Sequence, residues 1–384
     1  MALASLSCSE CAGEANRCRC GSSPKLAPGP LCLPGGGRYS LDFAIEAAVA
    51  KYLDHTPLER QVRILRREGL DIDSSTLWEQ AERLARLLGL TAAAIRQYVL
   101  RAMVVHADET PWYMLKKGRQ KQWLWSISCL DAAFYRIDPS RGHQVIVELL
   151  DGFEGLLVVD GYQAYGTAAR ALGGRIRLAL CWAHARRTLV EAEESYPEAS
   201  EALDLIGEMF LIERDLPDWQ CITDERLQAQ ALALIRETRQ ARSKPLVEAL
   251  AAWAKAQRAL KGSRLGEAVT YLHNQWEGLL VFLDDPRVPL SNNSAERSLR
   301  GPVVGRKNFA GCKSVRGTEV AGVLYTLLES AKLAGVEPRA YLRAAAEAAL
   351  TGRPPLLPHV YREQLRAERA AVRSATVSLS ADVS

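Results

Sequence analysis

Two short apolar runs, each ended by an aspartate, constrain this chain more than any other feature. Val104-Val105-His106-Ala107-Asp108-Glu109-Thr110 and Leu156-Leu157-Val158-Val159-Asp160-Gly161 both pass abruptly from β-branched or aliphatic residues to acidic and polar ones. Each reads as a buried strand whose last side chain emerges at the edge of a sheet. A third acid, Glu296, follows in Asn292-Asn293-Ser294-Ala295-Glu296-Arg297, where an Asn/Ser cap opens a helix. Two aspartates on strand ends and a glutamate on a late helix form a set able to hold a pair of divalent cations.

The residues around the two aspartates set the expected topology. The patterning predicts strands at 103–108, 121–129 and 132–138, a helix near 142–150, a strand at 155–160, a helix near 162–171, a strand at 175–181 and a helix from about 183. Three strands with short connections make an antiparallel meander, and strands separated by helices imply right-handed parallel crossovers. That order is the ribonuclease H-like order of an α/β fold. In it the first and fourth strands are neighbours, which brings Asp108 beside Asp160.

The flanking segments divide the chain further. Residues 1–20 contain Cys8-x-x-Cys11 and Cys18-x-Cys20, a spacing that suits either a zinc knuckle or a Cys-bearing leader. Residues 21–40 are Gly/Pro-rich and read as a linker. Residues 41–102 are helical in pattern. Thr56-Pro57-Leu58-Glu59 combines an N-cap, a first-turn proline and a capping-box glutamate, and Leu58, Val62 and Leu65 share the face that follows. Thr76 is expected to cap the next helix, and Ala92–Ala102 to form a third. With Arg60, Arg63, Arg66 and Arg67 on the first of these, the pair resembles a helix-turn-helix, read here as a phosphate-contacting helical bundle rather than a base reader.

Residues 190–285 form an all-α insertion between the two parts of the catalytic core, 103–190 and 286–350. Trp253 and Trp276 within it could stack on unpaired bases, but at helical spacing they are read as core. Glu319–Ala334 should pack on the sheet through Val323, Leu327 and Ala331, and the tail 351–384 is expected to fray beyond Arg362.

Charge is informative by location rather than by sum. The net charge of +4 argues only weakly for an anionic partner, yet Arg297 to Arg316 holds six basic residues and no acidic one, directly after Glu296. No apolar run approaches a membrane span and no signal pattern opens the chain, so a cytoplasmic, nucleoid-associated protein is expected, with its nine cysteines as thiols or metal ligands.

Two hard cations such as Mg²⁺ or Mn²⁺ held by three carboxylates can drive in-line displacement at phosphorus without a nucleophilic Ser or Cys. Arg300 lies one turn on from Glu296, and Gly305-Arg306-Lys307-Asn308 reads as a phosphate-holding loop. Cys181-Trp182-Ala183-His184 places His184 as an active-site neighbour. Taken singly, each acid reads better as a solvated turn residue or a helix-dipole partner. Their joint placement is what favours the chemistry.

At these residues the sequence resembles the insertion sequence 66 family of bacterial transposases. The matching stretches are His106-Ala107-Asp108-Glu109-Thr110-Pro111, Val159-Asp160-Gly161-Tyr162-x-x-Tyr165, Cys181-Trp182-Ala183-His184-Ala185-Arg186-Arg187, Asn292-Asn293-x-Ala295-Glu296-Arg297, Gly305-Arg306-Lys307-Asn308 and Ala331-Lys332-Leu333-x-Gly335-Val336. The resemblance implies a DDE transposase that cleaves element ends and joins them to target DNA, working as a homo-oligomer, with small accessory proteins as further candidate partners. Asp108, Asp160 and Glu296 would be its metal ligands. Arg186, Arg187, Arg297, Arg300, Arg306, Lys307 and Asn308 would contact DNA, and His106, His184 and Asn293 would support the acids. Family members begin with a helical leader and two well-spaced Cys pairs. Here only Cys18-Arg19-Cys20-Gly21 corresponds, so the N-terminus reads as truncated. The competing readings are a non-catalytic DNA-binding remnant of a transposon and a ribonuclease H-like nuclease.

Overall fold

The structure is a computed structural model, and it describes residues 15–16, 25–26, 29–35, 37–115 and 120–381. Cys8, Cys11, Cys18 and Cys20 lie outside the described residues, and with them the zinc-knuckle expectation. The described cysteines, Cys32, Cys129, Cys181, Cys221 and Cys312, are free thiols.

Five strands form one mixed sheet: β1 (Val104–Met114), β2 (Gln120–Ser128), β3 (Ala133–Asp138), β4 (Gly155–Val159) and β5 (Ile176–Leu180), in the spatial order β3-β2-β1-β4-β5. The first three are an antiparallel meander, whereas β4 and β5 join in parallel. Helix α5 (His143–Leu149) precedes β4 and α6 (Gln163–Ala171) precedes β5. A tight turn can only reverse the chain, and a parallel neighbour needs a longer crossover.

The ladder between β1 and β4 is short, pairing Val104, Val105 and His106 with Leu156, Leu157 and Val158. Beyond it β1 continues beside β2, in register from His106 opposite Ser128 to Met114 opposite Gln120. The expected end of this strand at Asp108 is therefore corrected. Asp108 lies within the strand, just past the point where the parallel neighbour stops, because the hairpin partner keeps the backbone extended.

The exposed backbone of β3, at one edge of the sheet, is covered by α13 (Val315–Leu333). Ser330 Oγ accepts from Ala133 N (3.0 Å) and donates to Ala133 O (2.9 Å), and Thr326 Oγ1 accepts from Tyr135 N (3.0 Å). Two helix hydroxyls thus satisfy strand groups that would otherwise invite another chain. α13 is buried along nearly its whole length, not on one stripe. Its other sides meet α1 (Leu41–Tyr52), α3 (Ser74–Leu87), α4 (Gly89–Val99) and α14 (Pro338–Leu350). Tyr52 of α1 packs edge-on against Tyr325, with ring centroids 5.3 Å apart.

Local start signals in this region are only partly used. The helix after Thr56, α2 (Leu58–Arg67), begins at Leu58 without a side-chain cap, because Thr56 Oγ1 turns to Asp54 O (3.5 Å). Gln61 instead spans the corner, its Nε2 donating to Thr56 O (3.0 Å). Thr76 lies inside α3, which Asp73 precedes. Leu58, Val62 and Leu65 do share a face, packed with Phe43, Ala47, Ile72 and Leu77.

Between residues 182 and 284 the chain is helical: α7 (Trp182–Glu193), α8 (Ala199–Arg214), α9 (Glu225–Thr238), α10 (Lys244–Ala256) and α11 (Arg264–Asp284). A π-turn at Arg239–Ser243 joins α9 to α10 and aims Arg239 inward. Only 3% exposed, Arg239 grips Glu213 through Nε (2.8 Å) and Nη2 (2.7 Å) and donates to the carbonyls of Phe282 (2.8 Å) and Val288 (3.0 Å). One guanidinium therefore ties α8 to the segment that leads back to the sheet. Trp253 is buried in the core as expected, whereas Trp276 is half-buried at its margin, packed edge-on against Trp182 at 6.2 Å.

Helix α12 (Asn293–Phe309) carries Glu296 and lies over β1 and β2, where Ser126 Oγ meets Ser298 Oγ (3.1 Å), and Tyr135 Oη reaches across from β3 to donate to Ser298 O (2.7 Å). Gly305-Arg306-Lys307-Asn308 is part of this helix, not a loop. After Leu350 the chain forms one more helix, α15 (Pro358–Ala381), where fraying was expected. Among the described residues no helix is long and apolar enough to cross a membrane.

The turn after α12 carries the tightest backbone approach. Gly311 has φ +126°, and an added Cβ would stand 2.0 Å from Tyr113 O, where Cys312 N donates (3.0 Å) to close the end of β1. Gly311→Ala should lower stability by about 1–3 kcal/mol in urea unfolding, whereas Gly89→Ala, in a helix with open space, should be neutral or stabilising. Arg316 clasps the buried Glu82 carboxylate through two nitrogens, holding its pKa below the ordinary 4.5. A depressed carboxylate stabilises the fold above its unfolded pKa and loses that contribution as pH falls through the folded value. Arg316→Ala should therefore unfold at a lower temperature than the parent at pH 7, with the gap closing below pH 4.5.

Candidate active site

Each acid is placed by its own local device. Asp108 is half-buried on β1, and its Oδ1 accepts from Glu109 N (2.8 Å). Asp160 is the first residue after β4, and its Oδ1 accepts from Tyr162 N (2.9 Å), an Asx turn that leads into α6. Gly161 lets α11 approach this corner. A Cβ there would meet Tyr271 Oη at 2.6 Å, and Gln275 Nε2 donates to Gly161 O (3.2 Å).

Glu296 reaches the same region through Asn292. As the residue before α12, Asn292 stands in the cap position but does not cap the helix. Its fully buried amide crosses to β1, with Nδ2 donating to Ala107 O (2.9 Å) and Oδ1 facing His106 Nδ1 (2.9 Å). Since the amide NH₂ is committed to Ala107, Oδ1 is the acceptor and His106 holds its proton on Nδ1. Burial lowers the His106 pKa, which keeps the ring neutral in that role. Asn292 N also donates to Cys181 Sγ (3.0 Å), at the end of β5. The start of α12 is thereby bonded to β1 and to the β5–α7 junction.

His184, in the first turn of α7, brings Nε2 within 3.6 Å of Glu296 Oε1, inside ion-pair reach and beyond a hydrogen bond. Glu296 Oε1 and His184 Nδ1 are both buried without a hydrogen-bond partner. The Asp108 carboxyl is pushed up to about 8, first by burial and then by the negative charge of Glu109, with Asp160 and Glu296 adding to it. The carboxyl of Glu109 is raised by burial, against the downward pull of its bonds to Tyr165 and Arg141.

Among the described residues, no group of three or more His, Cys, Asp or Glu side chains is placed to hold a metal ion. The donor set still suits a hard divalent cation. It is made of carboxylate oxygens that repel one another at Asp108, and one of those oxygens is buried without a partner. Asp108, Asp160 and Glu296 would be the residues to hold such an ion.

The basic residues sort by exposure. Arg297, Arg300 and Lys307 are exposed on α12, and Arg186 and Arg187 are exposed on α7. Asn308 is exposed too, with Nδ2 donating to His55 O (3.3 Å). Arg306 instead turns inward, and Nη1 donates to Thr110 Oγ1 (3.3 Å). Asn293, expected to support the acids, faces solvent, and its neighbour Asn292 makes the internal bonds. The Asn-Asn pair was the signal, but the helix phase that chooses between its members was not readable locally. Tyr271 carried no signal, lying in an ordinary amphipathic run.

The sequence profile of the Transposase IS66 family matches residues 36–320. The uncharacterized protein y4jD of Sinorhizobium fredii (strain NBRC 101917 / NGR234) is 32% identical over 359 residues, covering 87% of this chain and 68% of its own length. Two more uncharacterized proteins of that organism are similar. y4hP is 30% identical over 320 residues, covering 76% of this chain and 56% of its own. y4qI is 31% identical over 316 residues, covering 77% and 57%. With a profile match over residues 36–320 and relatives of 30–32% identity along most of its length, this chain belongs to the IS66 family of transposases.

Proposed function

We propose that this chain is a DDE transposase with a ribonuclease H-like core, which cleaves DNA at the ends of an insertion sequence and joins them to target DNA. The observation that carries the reading is the electrostatic meeting of the three acids. Asp108, from β1, is raised first by burial and then by Glu109, with Asp160, which follows β4, and Glu296 on α12 adding to it, although Asp108 and Glu296 stand 188 positions apart. Three carboxylates brought together without neutralising partners destabilise one another unless a cation joins them. Mg²⁺ or Mn²⁺ ions there would supply activation of the attacking oxygen and stabilisation of the leaving one.

The chain's own groups do the rest. Asp108, Asp160 and Glu296 hold the reacting centre at the end of the parallel strands. His184 lies beside Glu296, within ion-pair reach of its carboxylate. Asn293, Arg297, Arg300 and Lys307 recur at helical spacing on the exposed side of α12, giving three cationic side chains that lead away from Glu296. Fourteen residues of helix span about 21 Å, enough to follow one DNA backbone past the site. The arginines of α7, Arg186 and Arg187, start from the His184 side. Oligomerisation on DNA and accessory proteins belong to this proposal through the family alone.

Strand nicking of a labelled duplex carrying an element end, in Mg²⁺ or Mn²⁺, tests the reading. Asp160→Asn should lose nicking to background while retaining DNA affinity; parallel loss of both would make Asp160 a residue of the fold. Lys307→Ala should weaken binding to all sequences alike and reduce the slope of log affinity against log salt by about 1. An unchanged slope would remove Lys307 from the DNA path.

A further inference from the structure

The side of β1 opposite the three acids holds a second cluster, and Arg141 is its centre. Arg141 sits on the loop between β3 and α5, and its Nε and Nη2 both donate to Glu109 Oε1 (2.9 and 2.6 Å). The guanidinium lies over the Tyr162 ring at 3.9 Å and over the Trp123 ring at 4.4 Å. Tyr162 Oη returns a hydrogen bond to Arg141 O (3.1 Å), and Tyr165 Oη donates to Glu109 Oε2 (2.7 Å). The Glu109 side chain is 1% exposed, so its charge is neutralised only inside this cluster.

Both ends of the cluster lead to an acid. Glu109 N donates to Asp108 Oδ1, and Tyr162 N donates to Asp160 Oδ1. Arg141 thus holds the residue that orients one aspartate with its fork and the residue that orients the other with its face. The direct ladder between β1 and β4 ends at His106 and Val158, short of both acids. Beyond that point the spacing of the two carboxylates needs another tie.

We propose that Arg141 is a positioning residue that sets the separation of Asp108 and Asp160, and through it their joint affinity for a divalent cation. The inference rests on the transposase reading of the acids. Arg141 does not touch them. It acts through Glu109 and Tyr162, and an arginine is required because only a planar fork can bond a carboxylate while stacking between rings.

The test measures Mn²⁺ binding to the full chain by electron paramagnetic resonance, beside end-nicking as a function of Mn²⁺ concentration. Arg141→Ala should weaken Mn²⁺ binding about 10–100-fold, raise the Mn²⁺ needed for half-maximal nicking in parallel and leave DNA affinity unchanged. Arg141→Lys, which keeps the charge without the fork, should fall between the parent and Arg141→Ala and serves if the alanine variant fails to fold. Arg343→Ala, which breaks an exposed pair with Asp42 and Glu347, should match the parent. Parent-like Mn²⁺ binding in folded Arg141→Ala or Arg141→Lys would overturn the positioning role while leaving the three-acid site intact. A parent protein that binds no Mn²⁺, or binds it unchanged in Asp160→Asn, would instead overturn the reading of the acids and this inference with it.

Discussion

Three residue pairs of parallel ladder, Val104–His106 against Leu156–Val158, carry the architecture. They join the meander of β1 to β3 to the parallel half of the sheet, and every later element is laid on that joint. A parallel pair cannot be made by a turn, so α5 must intervene and pack on the sheet before β4 can align. Once it does, two aspartates more than fifty positions apart stand just past the same end of that ladder, Asp108 within β1 and Asp160 after β4. The edge strand β3 is completed by a distant helix, through Ser330 and Thr326.

The third acid depends on a buried polar network rather than on a strand. Asn292 makes its bonds to Ala107, His106 and Cys181 in a dry interior, where an unmade bond is costly and the pairing is correspondingly specific. Upstream, Arg239, itself held by Glu213, donates to the carbonyls of Phe282 and Val288, and Trp182 N donates to Leu290 O (3.0 Å). The long helical segment before α12 is thus fastened on the approach to Glu296. Tyr271, on the last of those helices, packs on Gly161 beside Asp160. The helices between β5 and α12 therefore contribute to the site as well as connecting its parts.

Readable features were those with a local cause. Apolar runs at strand length, two helix-bearing connections and three isolated acids identified the strands, their expected order and Asp108, Asp160 and Glu296 before any fold was known. Misreadings arose where a distant partner outbid a local preference. β1 outruns its aspartate because β2 pairs with it, and Gly305 does not break α12, because that helix is held against the sheet through Ser298; at Thr56 the competitor is instead local, the carbonyl of Asp54 two residues back. Arg141 had no local mark at all, being one arginine among many in a polar loop.

The sequence by itself determined where most strands and helices of the sheet region lie and which family the chain resembles, since periodicity, turn chemistry and motif spacing are properties of neighbouring residues. Only the tertiary structure decided that Asn292 and not Asn293 faces inward, that Arg306 turns to Thr110 while Arg300 and Lys307 stay exposed, and that Arg141 links the neighbours of two aspartates. The reason is geometric. A side chain's partner across a sheet or between helices depends on register and helix phase, and those are set by the packing of the whole core rather than by any window of sequence.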